Sequence, residues 1–289
     1  MSDTEAWAVG ADGYIARWDG YTWTRVESPT DKDLNDVVFL APDNGWAVGE
    51  GGVILHWDGS AWSVVREEQP SSPFGDAPSW NAVAFLHPDH GWIVGNTSFE
   101  GGSIANALYW NGSEWKEPSR PPIFCDHCFL WDAVVFSPDD AWIVGGNEEG
   151  LTLHWDGVDW NQVPNPFALL NFGRCWLYSI SARSSDDIWV AGIFLGGAGV
   201  NNRGLVIRWD GAEWVNMQLP ETGWVNSILA LSEENVWVGG EKLFHWNGQG
   251  WEMAASPVID RIVDIEDSPS GEIWALTQHG AFLRLEGSR

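Results

Sequence analysis

Apolar and polar positions alternate in short runs along this chain, and the runs come in sets of four. A representative set spans residues 34 to 65. "LNDVVFL" (34 to 40) is followed by the polar turn "APDN", then by "GWAVG", a loop, "VILHW", the turn "DGSA" and "WSVV". Short runs rich in β-branched and aromatic side chains, bounded by Gly, Pro, Asn and Asp, predict strands. "DG" between two such runs predicts a tight hairpin, because Gly takes positive φ at little steric cost. The same place in successive sets holds Asp19-Gly20, Asp58-Gly59, Asn111-Gly112, Asp156-Gly157, Asp210-Gly211, Asn247-Gly248 and Glu286-Gly287.

The second run of each set reads as "WxVG" or close to it, beginning at Trp7, Trp46, Trp92, Trp142, Trp189, Trp237 and Trp274. Self-similarity at a spacing of 37 to 50 residues points to a propeller or a solenoid, since one such unit cannot bury both its faces alone. The expected fold is therefore all-β: a seven-bladed β-propeller of four-stranded antiparallel blades, as a single domain over residues 1–289. First strands are expected near Leu34, Trp80, Trp131, Tyr178, Val225 and Ile262. Fourth strands are expected at Trp23, Trp62, Trp115, Trp160, Trp214 and Trp251. The terminal blades are thus expected to be incomplete, the first without an inner strand and the last without an outer one. Of the 23 tryptophans, Trp7, Trp46, Trp57, Trp62 and their counterparts are read as wedge fillers between neighbouring sheets. Each contributes on the order of a few kcal/mol of hydrophobic stabilisation.

"WIVGGNEEGLTLHWDGVDWNQV" (142 to 163) resembles a kelch-type blade, and "GWAVGEGGVILHWDGSAW" (45 to 62) resembles the Asp-box (BNR) repeats of bacterial propellers, including those similar to photosystem II assembly factors. The likeness covers nearly the whole chain and implies the fold. Propellers of these kinds serve as lectins, hydrolases, assembly factors and docking platforms, so it implies no single activity. Asp58 and Trp62 stand one residue closer than in an Asp-box, and no functional residue is carried over.

Strand order separates the loops by blade end. Turns after the first and third strands are short and uniform ("APDN", "HPDH", "SPDD", "DGxx"). Connections after the second and fourth strands are longer and varied: 66 to 79, 96 to 104, 117 to 127, 164 to 175 and 193 to 204. Long loops on a rigid scaffold are where function concentrates. At that end the starts of the first strands supply the candidate ligand-binding residues Trp80, Asn81, Trp131, Asp132, Trp176, Tyr178, Trp224 and Asn226. Aromatic faces beside amides and carboxylates suit a sugar ring or a peptide; the same rings would also serve simply to pack between blades.

Three cysteines are too few for a disulfide framework. "CDHC" (125 to 128) and Cys175 fall at equivalent repeat positions. Cys125, His127, Cys128 and Cys175 form a candidate metal set of the nitrogen and sulfur type that suits zinc, with a disulfide or buried thiols as the alternative; no other cofactor is expected. A net charge of -27, from 14 basic and 41 acidic side chains, excludes nucleic acid as a partner. No apolar stretch reaches the length of a membrane helix, and "MSDTEAWAVG" has no signal-peptide pattern. Glu67, Glu68, Glu100, Asp132, Glu148 and Glu149 are acids at the loop end, unpaired by sequence. No arginine cluster, phosphate loop or Ser/His/Asp set emerges. The reading is a non-catalytic scaffold that binds a protein segment or a glycan through its long-loop end. The alternative is a glycoside hydrolase-like enzyme using loop carboxylates.

Overall fold

The strand-forming runs pair as antiparallel hairpins, and each closes into a sheet with the outer hairpin that follows it. The computed structural model describes residues 5–67, 77–118, 127–147, 149–167, 173–196, 201–220, 223–255, 260–268 and 271–285. In chain order, β1 (Ala6–Gly10), β2 (Tyr14–Trp18) and β3 (Trp23–Val26) form a three-stranded sheet. Four-stranded sheets follow: β4 (Leu34–Ala41), β5 (Asn44–Gly49), β6 (Ile54–Trp57) and β7 (Trp62–Arg66), then β8 (Ser79–His87), β9 (His90–Phe99), β10 (Gly102–Trp110) and β11 (Trp115–Lys116). Next come the four-stranded sets β12 (Phe129–Ser137), β13 (Asp140–Asn147), β14 (Leu151–Trp155) and β15 (Trp160–Gln162), then β16 (Gly173–Ser184), β17 (Asp187–Gly196), β18 (Arg203–Trp209) and β19 (Trp214–Asn216), joined through β13 and β16 into one eight-stranded sheet. The last four-stranded sheet is β20 (Val225–Ser232), β21 (Asn235–Gly240), β22 (Leu243–Trp246) and β23 (Trp251–Ala254), and β24 (Ile262–Asp267), β25 (Ile273–Thr277) and β26 (Phe282–Leu285) form a second three-stranded sheet.

The expectation of seven blades is corrected by this topology. Among the described residues five four-stranded blades are built, not seven. The repeat count tallied "WxVG" strands, and such a strand marks a hairpin rather than a complete blade; those at Trp7 and Trp274 lie in the three-stranded sheets.

The chain divides into two compact units. Unit 1 is Met1–Trp142 with His154–Asn161, and unit 2 is Ile143–Leu153 with Gln162–Arg289, the division running through β13 to β15. In unit 1, Trp7 packs on Phe39, Trp57 and Trp62 of the next blade, with ring centroids 4.9, 4.9 and 5.7 Å away. Trp46 meets Trp110 at 4.9 Å and Trp115 at 5.4 Å, and Trp92 meets Trp155 at 5.3 Å and Trp160 at 5.0 Å. In unit 2, Trp189 meets Trp246 and Trp251. In these four cases a second-strand tryptophan lies against the third-strand and fourth-strand tryptophans of the following blade. The fourth-strand ring stands edge-on, 78° to 86° from its neighbour's plane in four cases, so its positive edge faces the negative ring face. Trp237 in unit 2 has Leu283 and Leu285 in place of the two tryptophans. The wedge reading of Trp7, Trp46, Trp57 and Trp62 is what the packing shows.

The "DG" turns are fixed twice over. Gly59 has φ +93, and the Asp58 carboxylate accepts the N–H groups of Ser60 (2.8 Å) and Ala61 (3.0 Å). Asp19, Asn111, Asp156, Asp210 and Asn247 do the same in their blades. Glu286-Gly287 lies outside the described residues. These donors, with the Ser60 hydroxyl foremost, bring the Asp58 carboxyl from 3.8 to about 2, and they lower Asp19, Asp156 and Asp210 as well. A folded value below the unfolded one makes a contribution that is present above about pH 4 and fades as pH falls toward 2. Two of the six turns already use Asn, whose Oδ1 accepts the same bonds. Asp58→Asn therefore keeps the melting temperature at pH 7 within about 1 °C and weakens its decline between pH 4 and 2, whereas Asp58→Ala lowers the melting temperature at pH 7 by a few degrees. Thermal melts across that pH range check both.

The glycine of "WxVG" has a different cause. Gly49, Gly95, Gly192 and Gly240 each oppose the start of a first strand at a register shift. A Cβ on any of them would run into the carbonyl oxygen of Asp33, Ser79, Trp176 or Trp224 respectively. The bulge brings two backbones together, and only a residue without a side chain fits.

Candidate ligand-binding site

Small polar side chains on the inner strands hold successive blades together before any ligand is considered. In unit 1, Asn35 Nδ2 donates to the carbonyl of Trp80 (2.8 Å), Asn81 Nδ2 donates to the carbonyl of Leu130 (2.7 Å) and to Asn96 Oδ1 (3.1 Å), and Asp36 Oδ2 accepts the Val83 N–H (2.8 Å). In unit 2, Ser179 Oγ accepts from Ile228 (3.3 Å), Ser181 Oγ from Ala230 (3.0 Å) and Ser227 Oγ from Ile265 (3.0 Å). Apart from the Asn81–Asn96 bond, which lies within one blade, each bond runs between a side chain of one first strand and the backbone of the next.

This sorts the sequence candidates. Trp80 is 2% exposed and packs with Trp46, Ile54, Val83, Ile93, Leu108 and Trp115. It belongs to the hydrophobic core, because the residue starting β8 points between the sheets rather than out of the blade end. Asn81 donates its amide to the Leu130 carbonyl of the next blade and to Asn96 Oδ1 of its own. Trp131 is half-buried and stacked on Phe129, centroids 5.7 Å apart and planes 9° apart. Asp132 Oδ1 accepts the Ala133 N–H at 2.8 Å.

In unit 2 the other four come together with a residue that sequence reading passed over. Trp176 pairs with Gly146, and its ring lies where a side chain on that glycine would be. Trp176 meets Tyr178 edge-on at 6.4 Å, Tyr178 stacks on Trp224 at 6.2 Å and 20°, and the Arg261 guanidinium lies 5.5 Å from the Trp224 ring centroid. Arg261 reaches Glu241 at 3.5 Å and keeps about a third of its side chain exposed (34%). Burial raises the Tyr178 phenol above its usual value, partly offset by Arg261. Asn226 Oδ1 is buried with no hydrogen-bond partner among the described residues. The result is a half-buried run Trp176–Tyr178–Trp224–Arg261 at the first-strand end. Register was the available signal for Arg261: it precedes Ile262 as Trp224 precedes Val225, and both of those residues open paired first strands. Phe129 carried no such signal, since β12 begins two residues earlier than its sequence pattern predicts.

Two of the expected long loops are corrected. Residues 96 to 104 are largely strand, β9 running to Phe99 and β10 starting at Gly102, and within 193 to 204 β17 runs to Gly196 and β18 starts at Arg203, residues 197–200 lying outside the described residues. Alternation of small and polar side chains in "GNTSFEGGSIAN" hid the pattern. The β13 and β16 strands also pair at Gly146↔Trp176 and Asn147↔Cys175.

The candidate zinc set is not assembled among the described residues. Cys128 is disulfide-bonded. Cys175 is a free thiol, 1% exposed and pushed up to about 12 by burial. His127 is exposed, with φ +67, and Cys125 lies outside the described residues. A sulfur in a disulfide and a buried protonated thiol are both poor metal ligands. Among the described residues no three His, Cys, Asp or Glu side chains stand close enough to hold a metal ion. No helix among them is long and apolar enough to cross a membrane.

No protein-family model and no curated protein matches this sequence, so neither the kelch nor the Asp-box likeness gains support from that side. Solved structures do match. A structure of YCF48 bound to D1 peptide has a TM-score of 0.66 at 16% identity, over 96% of this chain and 83% of that one. The WD40 β-propeller domain of Doa1 has a TM-score of 0.66 at 14% identity, over 98% and 88%. Streptogramin B lyase has a TM-score of 0.69 at 13% identity, over 95% and 87%. The neighbours include an enzyme and a peptide complex, and at these identities what they share with this chain is the fold: an all-β β-propeller with four-stranded antiparallel blades.

Proposed function

We propose that this protein is a non-catalytic binding scaffold that recognises a protein segment at the first-strand end of its blades. The observation that carries this reading is the run Trp176–Tyr178–Trp224–Arg261, half-buried and partly open. Aromatic faces and a partly exposed guanidinium match the apolar side chains and carbonyls of an extended peptide. Aromatic residues and arginine also dominate the binding energy of protein interfaces generally. The fold neighbours support it to the extent that YCF48 has been seen with a peptide bound. A glycan would use the same rings, but no separate observation favours one. Of the loop-end acids behind the hydrolase reading, Glu68 and Glu148 lie outside the described residues.

Selection from a displayed peptide library against the immobilised protein, beside a glycan array, tests the proposal. Peptides are expected to enrich, and Trp176→Ala and Trp224→Ala are each expected to weaken a selected peptide at least about tenfold, a hot-spot effect of 1.4 kcal/mol or more, with melting temperatures confirming intact folds. If no peptide enriches, or if both variants bind as the parent does, the reading is wrong.

A further inference from the structure

The three-stranded sheet β24–β25–β26 repeats the first three strands of a blade. Leu285 pairs with Ile273 as Trp57 pairs with Gly45, and Arg284 pairs with Trp274 as His56 pairs with Trp46, so β26 is a third strand by register. In each of the other six third strands a fourth strand follows that opens on tryptophan: Trp23, Trp62, Trp115, Trp160, Trp214 and Trp251. In all six that ring meets the third-strand tryptophan, with centroids 5.4 to 5.8 Å apart. Among the described residues no strand pairs with the outer side of β26. Burial follows this difference. At the Leu283 position the other sheets hold Ala16, Leu55, Leu108, Leu153, Ile207 and Phe244, each 3% exposed or less. Leu283 itself is half-buried, and so is Phe282, whose counterparts are all 5% exposed or less. Arg284 reaches Glu272 and still keeps 60% of its side chain exposed.

We infer that the outer edge of β26 is a docking surface for an extended segment of a partner protein, which joins the sheet as its fourth strand and opens on an aromatic residue opposite Leu285. A strand edge is a ready template for another strand, and main-chain hydrogen bonds along it supply affinity. The six sheets that have a fourth strand define the occupant's chemistry. Its aromatic ring takes the place of their tryptophans and sets the register against Leu285. Its backbone covers Leu283 and Phe282, taking apolar surface out of water. An acid in its second position would lie across from Arg284 as Glu252 lies across from His245. The surface is on a third strand, apart from the Trp176–Tyr178–Trp224–Arg261 run at the first-strand starts, and so goes beyond the scaffold reading above.

The probe is a fluorescent peptide copying this chain's own fourth strand at 248–255, Gly-Gln-Gly-Trp-Glu-Met-Ala-Ala, followed by anisotropy. Saturable binding is expected. A copy with Ser for its Trp, and a copy with alternate backbone amides N-methylated, are each expected to bind at least about tenfold more weakly. Leu283→Glu should lose about tenfold or more, with a melt to confirm the fold, while Met253→Glu, on the exposed fourth strand of the preceding blade, should change binding less than about twofold. Hydrogen exchange of the parent protein with the peptide gives a readout free of any variant: slowing is expected at 282–285 and not at 251–254. The inference is overturned if the peptide does not saturate, if the N-methylated copy binds as well, or if protection falls on 251–254 instead. It is also overturned if the protein dimerises through this edge and the dimer excludes the peptide, since the occupant is then a second copy. Failure of this peptide while Trp176→Ala still weakens a library-selected one would remove this inference and leave the scaffold reading standing.

Discussion

Trp46→Ala is expected to lower the free energy of unfolding by about 3 to 5 kcal/mol, the range for emptying a large aromatic site in a packed core. Trp46 is 4% exposed. Its ring lies between His56 at 4.5 Å on one side and Phe85, Trp110 and Trp115 of the next blade at 6.0, 4.9 and 5.4 Å on the other. Removing it takes away both the buried area and the ring face that the Trp115 edge is set against. Trp46→Phe retains a ring and should cost clearly less, about 1 to 2 kcal/mol. Denaturant unfolding of the three proteins measures this. A loss under about 1 kcal/mol for the alanine variant would mean that the wedge collapses without cost, and that Trp46 is no keystone between blades.

Gly95→Ala is the second large effect. The added methyl would meet the Ser79 carbonyl oxygen and the Trp80 backbone, so the bulge opening β8 has to move, at a cost of about 1 to 3 kcal/mol or more. Gly10→Ala provides the contrast. Gly10 closes the "WAVG" of the first sheet, has φ -177, and has nothing within 4 Å of an added Cβ. That substitution is expected to be neutral or to stabilise by about 0.4 to 1 kcal/mol through the unfolded chain. Equal effects at the two positions would show that the glycine marks a conformational preference rather than a close approach of two backbones.

Both predictions show how far the sequence could be read. Strand order, the "DG" hairpins and the wedge tryptophans were legible because they repeat: a side chain in one environment recurs at one register. The number of blades was not, because "WxVG" identifies a second strand whether or not a sheet has all four. Trp80 misled for a related reason. It stands at the start of a first strand, as Trp131 does, yet a single step in register turns one ring into the core and leaves the other half-open. Asn81 looked like a ligand group because polar residues on an inner strand are informative only once the next blade's backbone is in place to receive them. Arg261 was hidden by chemistry, since a position read as aromatic held a cation. The wedge tryptophans and the Trp176–Tyr178–Trp224 run are chemically alike, and only burial separates them.

Hydrogen exchange of the protein with and without a library-selected peptide tests the central claim most directly. Slowed exchange is predicted at the first-strand starts of unit 2, around residues 174–178, 223–226 and 260–262, with the "DG" turns at 58–61, 156–159 and 210–213 unchanged. Protection confined to those turns, or spread evenly over both blade ends, would contradict it.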